Sequence, residues 1–169
     1  PNDRINWKLK YKEFQKGYDP ALAFVNRTDV RGYEGEYRYR FRRQSGAFRT
    51  WDILTTANLF TDRDDVPETA AFNFSPIRIT SQVEDLFEVK FVYLFDNVPR
   101  PFFLTRHIGV VPDEYHAYSG IVEYTMSLAR PFRIKWTTGV GTFYDGAGAR
   151  IAPLVEWRPS EHWLMSIEY

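Results

Sequence analysis

Apolar and polar side chains alternate one for one along most of this chain, which is the period of a strand and not of a helix. The cleanest run covers residues 33–43, YEGEYRYRFRR. Tyr33, Tyr37, Tyr39 and Phe41 hold odd positions there, and Glu34, Glu36, Arg38, Arg40 and Arg42 hold even ones. As a strand this segment has one aromatic face and one wholly charged face. Similar runs predict strands elsewhere. Ile5, Trp7, Leu9 and Tyr11 alternate with Asn6, Lys8, Lys10 and Lys12. Val83, Phe87, Val89, Phe91, Tyr93 and Phe95 oppose Glu84, Glu88 and Lys90. Tyr118, Val122, Tyr124, Met126 and Leu128 oppose Ser119, Glu123, Thr125 and Ser127. Phe132, Ile134, Trp136, Thr138 and Val140 oppose Arg133, Lys135 and Thr137. Residues 51–61, 71–80, 151–157 and 163–169 complete the set; the first has two mixed faces, and Pro76 marks a bulge or sheet edge in the second.

Turn signals separate these runs: Tyr18-Asp19-Pro20, residues 96–101, Arg130-Pro131, Asp145-Gly146 and Arg158-Pro159-Ser160. Asp145-Gly146 between alternating runs reads as a hairpin turn. About eight to ten strands and no helix follow, an all-β antiparallel meander. The acidic segment 61–69 and the proline-bearing segment 97–101 read as loops. In a barrel with long loops at one end, both belong to that end.

Length and charge narrow the picture. The 169 residues suit one domain over 1–169, either whole or part of a longer chain; the start at Pro1 fits a processed or excised chain. Lys plus Arg and Asp plus Glu both number 22, which gives no reason to expect a nucleic-acid partner. With no Cys there is no disulfide framework and no thiolate chemistry. No apolar run exceeds about five residues, whereas a membrane helix needs ~20. A membrane strand needs only ~10 alternating residues. The 14 Phe, 11 Tyr and 5 Trp are rich for this length, and such rings concentrate in strands, at membrane interfaces and in carbohydrate sites. The five tryptophans spread over five candidate strands, mostly near strand ends, which favours a girdle or a core over one sugar platform.

No phosphate loop, zinc-protease motif or nucleophile elbow is present. His107, His116 and His162 are far apart, and Asp62, Asp64, Asp65 and Glu68 lack the spacing of a calcium loop. Glu34 and Glu36 lie about 7 Å apart on one strand face, a separation that suits a glycosidase pair. Arg38, Arg40 and Arg42 on the same face would hold both ionised, so neither suits a general acid. The expectation is no enzyme, no cofactor and no metal, with the charges forming a cross-strand ladder.

The end of the chain, Trp163, Met165, Ile167 and Tyr169 alternating to a terminal aromatic, resembles the closing strand of bacterial outer-membrane barrels. Residues 17–42 also resemble a segment of large bacterial outer-membrane proteins that carry a carbohydrate-binding-like sandwich before a barrel domain of unknown function. Tyr18, Asp19, Pro20, Phe24, Arg27 and Arg31 carry that likeness, with Asp19 and Ala23 where the family has Asn and Gly. Residues 141–169 resemble its hairpin and Arg-Pro-Ser-x-His turn through Gly141, Phe143, Gly146, Trp157, Arg158, Pro159, Ser160 and His162. The resemblance implies a transmembrane antiparallel barrel in the bacterial outer membrane, its aromatic face in the lipid bilayer and Glu34, Glu36, Arg38, Arg40 and Arg42 facing the lumen. The resemblance gives a location and a fold rather than a defined activity; from the charged inner face, the expected role is structural or solute-transport-associated, with a glycan or small solute as the ligand class. The alternative is a soluble all-β binding module, a lipocalin-like barrel or a carbohydrate-binding sandwich, with the aromatics turned inward.

Overall fold

The computed structural model describes residues 4–16, 29–106 and 108–169. Eleven strands and no helix form among them: β1 (Ile5–Phe14), β2 (Val30–Arg42), β3 (Phe48–Thr61), β4 (Pro67–Ser81), β5 (Leu86–Val98), β6 (Phe102–Thr105), β7 (Ile108–Val110), β8 (Asp113–Thr125), β9 (Phe132–Phe143), β10 (Gly146–Ser160) and β11 (Trp163–Glu168). Nine of these make one antiparallel sheet in chain order, β1-β2-β3-β4-β5-β8-β9-β10-β11, while β6 and β7 form a separate hairpin between β5 and β8. The all-β meander expected from the alternation is therefore the observed class. Closure is not: among the described residues β1 pairs only with β2 and β11 only with β10, so the sheet is open. The strand ending at Tyr169 thus closes onto no partner here.

Local chemistry explains the irregularities. Proline has no amide to give a ladder, and around Pro76 the register slips, between Phe74 and Ile77 toward β5 and between Asp52 and Leu54 toward β3. The Trp51 indole donates to the freed Pro76 carbonyl at 3.0 Å. Gly141 marks a close approach of β8 and β9, where a Cβ would come within 2.6 Å of both the Ser119 Cβ and the Tyr118 carbonyl oxygen.

Two turns differ from their sequence reading. The β9–β10 turn is Tyr144-Asp145, with Tyr144 at φ 49° and Gly146 already paired with Phe143. Arg158-Pro159-Ser160 stays within β10, and the chain reverses after it, Ser160 pairing with Trp163. In the 62–66 loop Asp62 serves the backbone. Asp62 Oδ1 accepts from the amides of Asp64 (2.9 Å) and Val66 (2.8 Å), closing the loop on itself.

A meander sends alternate connections to opposite ends. The 43–47, 82–85, 126–131 and 161–162 connections share one end, and 62–66, 99–112 and 144–145 share the other. Both sequence-expected loops therefore lie at the end that holds the long 99–112 excursion. The packing is inverted relative to an ordinary soluble sheet. Buried polar residues (Thr50, Asp52, Thr61, Ser75, Glu88, Ser127) are as prominent as buried apolar ones (Val30, Val98, Val110, Tyr115, Ala117). The one apolar cluster among the described residues, Val98, Val110 and Tyr115 with Tyr144 against it, lies where the excursion returns to the sheet.

Candidate functional site

Residues directly opposite in a ladder share a face, so the register locates the charged side chains. Arg40 on β2 faces Asp52 on β3, which faces Arg78 on β4, which faces Glu88 on β5, which faces Glu123 on β8. This is one transverse row across five strands. Asp52 and Glu88 are 2% and 4% exposed, so their charges need partners inside the protein. Arg40 grips Asp52 through two parallel bonds, Nε to Oδ1 and Nη2 to Oδ2, both 2.7 Å. Arg78 Nη1 meets Glu88 Oε2 at 2.5 Å, and the Ser75 hydroxyl donates to Glu88 Oε1 at 2.6 Å. Glu123, opposite a like charge, takes Lys135 at 3.8 Å and the Thr125 hydroxyl at 3.3 Å. Farther along the sheet Arg133 pairs with Glu156.

The sequence-expected ladder stands on this same face, with different partners. Glu34 is held by Lys10 (2.8 Å) and Lys12 (2.7 Å) from β1, not by the arginines of its own strand. Strand neighbours two apart on one face are ~7 Å apart, whereas cross-strand neighbours are ~5 Å apart, so the opposite strand wins. Glu36 stands opposite Lys8 and Thr56, and Arg38 stands opposite Asn6 and Leu54. The Arg38 Nε is shielded from solvent without a hydrogen-bond partner. Arg42 faces Thr50 at the end of β2.

The other face carries the rings, and it is open. Tyr33, Tyr37 and Phe41 are 39–43% exposed, and Trp7, Leu9, Phe91, Tyr118, Val140 and Ile151 are more exposed still. One outward row runs unbroken across seven strands: Phe41, Trp51, Ile79, Phe87, Tyr124, Trp136, Pro153. All five tryptophans lie within five residues of a strand end at the 43–47, 82–85 end: Trp7, Trp51 and Trp136 early in β1, β3 and β9, Trp157 late in β10, Trp163 at the start of β11. Cross-strand pairing sets Trp7 against Tyr37, Trp157 against Phe132 and Met165, and stacks Phe41 on Trp51 at 4.8 Å.

At the opposite end of the polar face a cavity of about 340 Å³ is lined by residues of β3 (Asn58, Phe60), β5 (Asp96), β8 (Tyr115) and the β9–β10 hairpin (Phe143, Tyr144). One cavity bounded by both β3 and β9 requires the sheet to curl, with its polar face on the inside. The Tyr144 hydroxyl donates to Asp96 Oδ2 at 3.0 Å. Burial, reinforced by that carboxylate, pushes the Tyr144 phenol above its usual pKa. These residues escape a sequence reading because Asp96 looks like a turn residue and Tyr144 like the end of an alternating run.

Of the residues carrying the family likeness, Tyr18, Asp19, Pro20, Phe24 and Arg27 lie outside the described residues, as does His107. Arg31 pairs with Asp65 at 2.5 Å across the 62–66 loop. The Arg158 amide donates to the Pro131 carbonyl at 2.6 Å, and Pro159 is exposed near the β10 terminus. His116 is on the outward face, its Nδ1 2.9 Å from the Tyr93 hydroxyl. Among the described residues no three His, Asp or Glu side chains converge to hold a metal ion. No family model, curated protein or solved structure matches this chain.

Proposed function

We propose that this chain forms the wall of a bacterial outer-membrane β-barrel, with its ring-bearing face in lipid and its charged face toward a polar lumen. The inversion of burial carries the reading: large apolar side chains stand exposed across the sheet, while the charged row on the opposite face of β2, β3, β4, β5 and β8 is largely shielded. In water this arrangement leaves a large apolar surface uncovered, whereas hydrocarbon is the solvent such a surface matches. Tryptophans gathered at one end of the sheet fit an interfacial belt, and strands of 10 to 15 residues on most of the sheet reach across an apolar layer when tilted. The expected role is structural or associated with solute passage. The transverse ion pairs fill part of the lumen with fixed, mutually neutralised charge. Membership of the sandwich-plus-barrel outer-membrane family fits this reading and remains part of the proposal.

The test is physical behaviour. A membrane barrel partitions into detergent and migrates on a gel differently before and after boiling. A chain that stays monomeric in concentrated, detergent-free buffer contradicts the proposal and favours the soluble alternative.

A further inference from the structure

The cavity at the long-loop end has a composition that selects for charge type. Its walls include the rings of Phe60, Phe143 and Tyr144, and Asp96 is the carboxylate among its lining residues. The only side chain bonded to Asp96 among the described residues is the Tyr144 hydroxyl, which donates to Oδ2. No Lys or Arg among them lies within salt-bridge distance of it. This sets Asp96 apart from Asp52 and Glu88, which are matched by arginines on the same face. Asp96 also borders a second cavity that Asp62 and Glu68 line. Of the cations at this end, Arg31 is engaged by Asp65 and Arg63 by Glu13 and Asp29, while Arg100 and Arg106 of the 99–112 excursion are exposed to solvent and none of the four pairs with Asp96.

We propose that this cavity binds a small organic cation, its ammonium group against Asp96 and its apolar body against the rings of Phe60, Phe143 and Tyr144. Aromatic faces attract a cation through the ring quadrupole, and the Asp96 carboxylate adds a charge-assisted hydrogen bond. A bare metal ion suits the site poorly, because it wants several oxygen ligands and the carboxylates here do not converge. An anionic solute meets the Asp96 carboxylate, which pairs with no Lys or Arg among the described residues. A volume of about 340 Å³ falls in the range of small-molecule sites. The inference concerns the shielded side of the sheet, so it goes beyond the membrane reading and stands or falls separately from it.

The experiment is calorimetric titration of the full chain, in detergent or in buffer as its solubility dictates, with three probes of one shape: phenethylammonium, 2-phenylethanol and phenylacetate. Phenethylammonium binds saturably, 2-phenylethanol binds about tenfold more weakly, and phenylacetate weaker again. Asp96→Asn, which keeps an acceptor for Tyr144, removes the preference for the ammonium over the alcohol. Equal binding of ammonium and alcohol, an unchanged preference in Asp96→Asn, or an ammonium isotherm that never saturates overturns the proposal. Where Asp96→Asn fails to fold, Phe60→Leu serves instead. It lowers the ammonium-to-alcohol ratio about threefold by removing one π face, and an unchanged ratio there refutes the site.

Discussion

Phe91→Arg tests what the apolar face meets. Phe91 is 54% exposed near the middle of β5, in the outward row that also holds Tyr37, Phe74 and Val140. It lies five residues from Leu86 at the tryptophan-bearing end, about 16 Å along the strand at 3.3 Å per residue. At a tilt near 45° that is about 12 Å of depth, close to the middle of an apolar band ~25 Å tall. An arginine there costs ~2–4 kcal/mol in lipid, whereas on a water-exposed surface the change stays within ~0.5 kcal/mol. Phe91→Ala removes the ring without adding charge, so the difference between the two variants isolates the charge. Phe87, one residue from the strand end, supplies the depth control, and Phe87→Arg costs ~0–1 kcal/mol at an interface. The assay is equilibrium unfolding in urea with phosphatidylcholine vesicles, followed by tryptophan fluorescence. A Phe91→Arg stability within ~0.5 kcal/mol of Phe91→Ala, or equal costs at positions 87 and 91, refutes the lipid-facing assignment.

Two further predictions concern the charges. Asp52→Ala strips both bonds from Arg40, whose side chain is 21% exposed, and lowers stability by ~3 kcal/mol in the same unfolding assay; replacing the pair together, Arg40→Met with Asp52→Leu, recovers most of that loss. At the short-turn end Asp85 ties the 82–85 turn to the 126–131 turn, accepting from Arg130 Nε (3.1 Å) and Nη2 (2.7 Å) and from the Ser127 amide (2.9 Å). The Arg130 hydrogen bond, aided by the Ser127 amide and opposed by desolvation, holds the Asp85 carboxyl below its usual pKa. A carboxyl lowered on folding adds stability that is full above its unfolded value of ~3.9 and is lost as pH falls through the folded one. The Ser127 amide resonance therefore shifts in an acid transition below about pH 4, and Asp85→Asn abolishes it. A transition above about pH 5 contradicts the linkage.

How much of this was legible in advance follows from the range of the forces involved. Alternation is a property of adjacent residues, so the strands, the two-faced β2 and the Pro76 bulge could be read directly from the chain. Partner choice depends on register, which is set by turns and bulges far from the charges. The arginines of β2 therefore looked like the partners of Glu34, until pairing with β1 brought Lys10 and Lys12 closer. Residues 51–61 look mixed on both faces because Leu54 and Phe60 share a face with Asp52 and Asn58 while Thr55 shares the other with Trp51, and only Arg40 and Arg78 on either side reveal Asp52 as a link in a charged row. The tryptophan belt needs strand direction as well: Trp51 begins a strand and Trp157 nearly ends one, yet a meander puts both at the same end. The cavity at the long-loop end is the least legible feature, since Asp96 and Tyr144 are 48 positions apart and meet only through the strand order β5-β8-β9. The two kinds of charge on this face do different work. Asp52 and Glu88 in the middle of the face are matched by arginines, while Asp96 at the long-loop end keeps a single phenol among the described residues. Neutralising the mid-face pairs should therefore change stability without changing what the long-loop end binds.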